Sequence, residues 1–80
     1  MMYDLMTIRV RVADRLGDLV DSVHVREEDH GGAIGVIINK SASRFGVIIP
    51  VNGPIDPVVF ADKAAESLHQ WLDRRERGIE

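Results

Sequence analysis

The chain contains no cysteine, which removes disulfides, thiolate metal ligands and cysteine nucleophiles at a stroke. Aromatics are nearly absent: Tyr3, Phe45, Phe60 and Trp71 are the whole set. Stacking on successive bases, the usual grip on single-stranded nucleic acid, needs more rings than that. A basic excess is missing as well, the net charge being −3, whereas nucleic-acid-binding domains usually carry a basic patch and a basic balance. No apolar run approaches the roughly 18 residues of a spanning helix, and the start, MMYDLMTIRV, has no signal-peptide h-region. The chain is therefore expected to be unexported, cytoplasmic and free of membrane.

What is present is an ordinary globular balance, 29% charged and 45% hydrophobic over 80 residues. This fits one small domain spanning 1–80. A domain of this size has a marginal core, and a second chain can supply the missing burial.

The best-specified stretch is the last quarter. Asp56 is placed to cap a helix, and Pro57 follows where a missing N–H costs nothing. Ala61, Ala64, Ala65, Leu68, Trp71 and Leu72 recur at helical steps, with Asp62, Lys63, Glu66, Gln70 and Asp73 on the other side. Arg74, Arg75 and Arg77 suit the negative end of the dipole, and Gly78 is placed as the residue after the cap. The period predicts a helix over about 57–77. Val58, Val59 and Phe60 are poor helix formers, so a start near Ala61 is the alternative.

The preceding part reads as strands. Residues 7–12, TIRVRV, alternate, setting Ile8, Val10 and Val12 against Thr7, Arg9 and Arg11. With Gly17-Asp18 as a turn, Val12 would face Val23 and Val10 would face Val25. A helical reading of 12–23 competes, since Val12, Leu16, Leu19, Val20 and Val23 also fall at helical spacing. Residues 33–39 and 45–51 are apolar and β-branched, and the link through Lys40, Ser41, Ala42 and Ser43 predicts a second hairpin. Gly35 and Gly46 suggest a bulge or a close backbone approach. Pro50 cannot donate to a ladder, which marks an edge or an exit. The expected architecture is α+β: a small antiparallel sheet of three to four strands and two hairpins over about 5–51, packed against one C-terminal helix. Its expected core is Ile8, Val10, Val12, Val23, Val25, Ile37, Ile49, Leu68, Trp71 and Leu72.

Candidate chemistry is thin. Glu27, Glu28, Asp29 and His30 cluster, but neighbouring residues cannot all turn to one ion and the loop offers too few oxygens for a hard cation. Gly31, Gly32 and Gly35 lack the spacing of a nucleotide loop. His24, His30 and His69 are scattered, and Ser41, Ser43 and Ser67 have no activating base nearby. The reading is no catalytic set, no metal and no cofactor. The arginines form two groups. Arg9, Arg11 and Arg26 would share the solvent side of the first hairpin, where a basic β-ribbon could enter a major groove; Arg74, Arg75 and Arg77 end the helix.

The apolar surplus is more informative. Ile34, Val36, Ile38, Val47 and Ile48 belong to a set larger than one helix can cover, so the sheet must meet something else, either a partner surface or an N-terminal segment that closes the core. The ending, a strand and then Phe60, Ala64, Ala65, Leu68, Trp71 and Leu72, resembles the sheet-then-helix modules of small HicB-like antitoxins and integrase arm-binding domains. It departs from both: the Gly-aromatic pattern of the former and the basic sheet of the latter are missing, so no functional residue is carried over.

The expectation is a small non-enzymatic protein-binding module, a regulator or inhibitor that self-associates as a homodimer. Its contact residues are Ile34, Val36, Ile38, Val47, Ile48, Arg74, Arg75 and Arg77. The alternative is a DNA-binding transcriptional or recombination regulator using Arg9, Arg11 and Arg26 or the arginine-rich helix end.

Overall fold

A computed structural model describes residues 3–76. Helix α1 spans Leu5–Leu16, a 3₁₀ turn follows at Gly17–Leu19, and strand β1 runs from Ser22–Glu28. A second 3₁₀ turn, Asp29–Gly31, leads to β2 (Ala33–Lys40) and β3 (Ser43–Pro50), and α2 occupies Pro57–Glu76. The strands form one antiparallel sheet in the order β1-β2-β3. The α+β class and the C-terminal helix are as expected, and a helix also stands in front of the sheet.

That first helix is the main correction. Residues 7–12 are helical and not extended, so no hairpin turns at Gly17-Asp18, Val12 faces no strand partner, and the sheet begins at Ser22 instead of near residue 5. The alternation of 7–12 is real but short. Over the longer window Leu5, Ile8, Val12 and Leu16 recur at steps of three and four, a helical stripe. Local chemistry fixes both ends. Asp4 caps the start, its carboxylate accepting from the Thr7 N–H at 3.1 Å and from the Thr7 hydroxyl at 2.7 Å. The hydroxyl bond first, and the amide bond second, hold the Asp4 carboxyl below its ordinary range. Gly17 ends the helix at φ 52°, where a Cβ would be strained, and its N–H donates to Ala13.

Helix α2 starts at Pro57 and not at Ala61. The Asp56 carboxylate accepts from the Val58 and Val59 amides at 2.9 and 3.3 Å, and the Asp56 carbonyl accepts from Phe60 at 2.9 Å. Cap and proline together outweigh the low helix propensity of two valines. Arg77 and Gly78 lie outside the described residues.

Both helices pack on one face of the sheet. The buried set is Ile8, Val12 and Leu16 from α1, Val23, Ile34, Val36 and Ile38 from the strands, and Phe60, Ala61, Ala64, Ala65, Leu68 and Leu72 from α2. Of the expected core, Val25, Ile49 and Trp71 are only partly buried against it, Ile37 is half-buried elsewhere, and Val10 is 55% exposed. Small alanines on α2 let α1 come close, and Arg11 on α1 reaches Asp62 on α2 at 3.0 Å.

The ladders run without a bulge: β1 pairs with β2 from Ser22↔Asn39 to Glu28↔Ala33, and β2 with β3 from Ala33↔Pro50 to Lys40↔Ser43. Gly46 instead marks a close approach, since a Cβ there would lie 3.1 Å from Ile37 Cγ1. The β2–β3 turn is Ser41-Ala42, with Ser41 at φ 54° and its N–H held by the Asp21 carboxylate at 2.7 Å.

A pair of substitutions separates helix from strand at 7–12. On a strand Val10 and Val12 would share a face; on α1 they do not. Val10→Lys is expected to stay within about 0.5 kcal/mol of the parent in urea unfolding, whereas Val12→Lys buries an unpaired charge and costs on the order of 4 kcal/mol. Equal losses would contradict the helix.

Candidate functional site

The alternation of each strand sorts the sheet into two faces. Val23 and Val25, then Ile34, Val36 and Ile38, then Phe45, Val47 and Ile49 lie under the helices. This corrects part of the expected contact set: Ile34, Val36 and Ile38 are fully buried and cannot meet a partner. The cover comes from α1, the N-terminal segment itself. Val47 is partly buried at the margin of the core, and Ile48 is 66% exposed.

The opposite face carries no helix. Its rows, read across the register, are Ser22–Asn39–Arg44, His24–Ile37–Gly46, Arg26–Gly35–Ile48 and Glu28–Ala33–Pro50. Two isoleucines thus lie beside two glycines, of which Gly46 is exposed and Gly35 is buried against the Glu28 side chain. Arg26 and Glu28 pair at 2.6 Å along the β1 side, and Asn39 donates to Ser22 at 2.9 Å at one end.

The two edges differ. β1 exposes His24, Arg26 and Glu27, the kind of charge that discourages strand addition. β3 carries one charge, Arg44, and otherwise small or apolar residues. The Val51 N–H donates to the Gly32 carbonyl at 2.9 Å. With the register fixed, antiparallel alternation turns the backbone groups of Phe45, Val47 and Ile49 toward β2 and those of Arg44, Gly46 and Ile48 outward. Pro50 falls on the outward phase, where its missing N–H leaves no ladder bond unmade.

Beside this edge, between β3 and α2, lies a groove of about 290 Å³ lined by Phe45, Gly46, Val47, Ser67, Leu68, Gln70, Trp71 and Arg74. The Phe45 and Trp71 rings meet with centroids 3.8 Å apart, and the Arg75 guanidinium lies 4.8 Å from the Phe45 ring and 5.5 Å from that of Trp71. Arg75 is thus laid over an aromatic pair, while Arg74 lines the groove. Ser67 and Gln70 are not among the contact residues expected from the sequence; their signal there is only that each directly precedes a residue of the apolar stripe, Leu68 and Trp71.

A second apolar patch lies on the helical side, where Met6, Val10 and Val58 share a hollow with Thr7, Arg11 and Asp14. The first arginine set of the DNA alternative does not converge, while Arg74 and Arg75 of the second stand together in the last turn of α2. Arg9 and Arg11 are on α1, while Arg26 is on the helix-free face of the sheet. Arg11 holds Asp62, with Arg15 also near at 3.6 Å, and Arg26 holds Glu28. His24, His30 and His69 lie on β1, in the β1–β2 turn and on α2, and among the described residues no three metal-binding side chains gather. No family model, no curated protein and no solved structure matches the chain.

The Arg11–Asp62 pair gives a pH signature. The hydrogen bond from Arg11, before the charges of Arg11 and Arg15, draws the Asp62 carboxyl below its ordinary range. A depressed folded pKa contributes stability that is complete above the unfolded value, about 3.9, and is lost as pH falls through the folded value. Asp62→Asn is expected to flatten the loss of stability below about pH 4, read by urea midpoints across pH at low salt. An unchanged acid limb would show that the pair does not couple the helices.

Proposed function

We propose that the chain is a small non-enzymatic protein-binding module, a regulator or inhibitor of a partner protein that also self-associates, and that it makes contact through the β3 edge and the apolar part of the helix-free face. The observation that carries this reading is the state of β3. It is an edge strand with outward backbone groups at Arg44, Gly46 and Ile48, no bulge, a single charge and an isoleucine 66% exposed. Such an edge is a template for strand addition, in which main-chain hydrogen bonds give affinity and side-chain pockets give specificity. The groove against α2, with Trp71 and Arg74 in its wall, supplies such a pocket on one side, and Ile37 and Ile48 supply apolar contact on the other. The dispersal of Arg9, Arg11 and Arg26 favours this reading over a basic β-ribbon on DNA, because phosphate contacts need several free cations on one surface, and at the helix end Arg75 is laid over Phe45 and Trp71.

The test is retention of proteins from an extract of the source cells on the immobilised chain, compared with Ile48→Lys. The substitution places a charge on an exposed edge and leaves the core untouched. A partner retained by the parent is expected to bind Ile48→Lys at least about tenfold more weakly, as for a buried contact residue of an interface. Retention indifferent to Ile48, or tight salt-sensitive retention of duplex DNA in its place, would overturn the proposal.

A further inference from the structure

We infer that β3 pairs with β3 of a second copy, antiparallel about a two-fold axis through Val47, so that one sheet runs through both chains. This inference rests on the protein-binding reading and names the chain itself as the occupant of the edge.

The choice of occupant comes from the self-complementarity of the strand. A two-fold antiparallel pair aligns residues whose numbers have a constant sum, and the outward phase of β3 restricts the centre to a residue. Centred on Val47, Gly46 of each copy faces the partner's Ile48, and Arg44 faces the partner's Pro50. Every free edge amide then meets a carbonyl: Gly46 donates to the partner's Ile48, Ile48 to the partner's Gly46, and Arg44 to the partner's Pro50. Pro50, which has no N–H, is never asked to donate. The charge of Arg44 falls opposite a proline and not opposite its own copy, so the pairing brings no like charges face to face.

Neighbouring registers fit less well. Centred on Gly46, two glycines would face each other and leave a gap, and Ile48 would lie beside the partner's Arg44. Centred on Ile48, Arg44 would donate toward the partner's Asn52, beyond the end of the strand. The Val47 register instead sets the exposed Ile48 over the partner's bare Gly46, next to the partner's Ile37, whose Cγ1 already closes the other side of that glycine. An apolar row then crosses the helix-free face of both copies. On the helix side Phe45 faces the partner's Ile49 and Val47 faces the partner's Val47, in front of the groove lined by Leu68 and Trp71. β1 cannot offer an equivalent pairing, because its edge is charged and α1 packs beside it.

The absence of cysteine makes the test direct. Val47 would form a non-hydrogen-bonded pair with itself, and such pairs have Cα atoms about 4.5 Å apart, within disulfide range. Val47→Cys, as the sole thiol, is expected to form a disulfide-linked dimer under mild oxidation in nearly all molecules. Val25→Cys, at the matching position on the β1 edge, is expected to remain a monomer. The unmodified chain is expected to sediment as a dimer at micromolar concentration, and Ile48→Lys as a monomer with unchanged circular dichroism. A monomeric parent, an uncrosslinked Val47→Cys, or crosslinking at Val25→Cys in its place would overturn the inference. A monomeric parent whose partner retention still depends on Ile48 would overturn the self-pairing alone and leave the protein-binding reading standing.

Discussion

Ile8, Val12 and Leu16 of α1 and Phe60, Leu68 and Leu72 of α2 close together over Val23, Ile34, Val36 and Ile38, and the rest of the molecule depends on that one-sided contact. Three strands cannot bury two faces with two helices on the same side. Placing both helices together makes one dry layer and leaves the other face without a helix, where only Ala33 and Gly35 of the row centres are buried. The alanines of α2 make this economical, because they let the helices approach and share the inner face between them. The Asp4 and Asp56 caps act upstream of the packing: each fixes where its helix starts, and so which residues of the stripe point inward.

The one-sided contact also decides where function can reside. Inner-face side chains are committed to the core, and among the described residues no three metal-binding side chains gather. What remains accessible is Ile48 and Gly46 with half-buried Ile37 beside them on the helix-free face, and two edges of opposite character. β1 is guarded by charge and β3 is not. A small chain with a marginal core gains most from an interaction that continues its own sheet, since that adds burial and backbone bonds together.

Much of the fold was legible in the sequence, and the main error has a physical cause. α2 was legible because cap, proline, period and terminal arginines agree. β2 and β3 were legible from β-branched runs around a short turn, and the edge character of β3 from Pro50. α1 was misread because 7–12 alternates polar and apolar residues, although the stripe of Leu5, Ile8, Val12 and Leu16 is visible over the longer window. That error propagated to the site. A strand at 7–12 leaves Ile34, Val36 and Ile38 as apolar surface that only a partner could cover. As a helix, α1 covers them, and the true surplus shrinks to Ile48 with Ile37 and, on the helical side, Met6, Val10, Val58 and Val59. The outward phase of β3 could not be read from sequence at all, because it depends on which carbonyl Val51 donates to.

Addition of another strand at the outer edge of β3 would occupy the outward backbone donors of that strand. Amide exchange resolved by residue, followed as the chain is concentrated, reads those donors directly. The Arg44, Gly46 and Ile48 amides, which face outward, are expected to become protected as concentration rises. The outward amides of β1, at Val23, Val25 and Glu27, would not change. Fast, concentration-independent exchange at Gly46 and Ile48, or protection arising at the β1 edge, would contradict strand addition at β3.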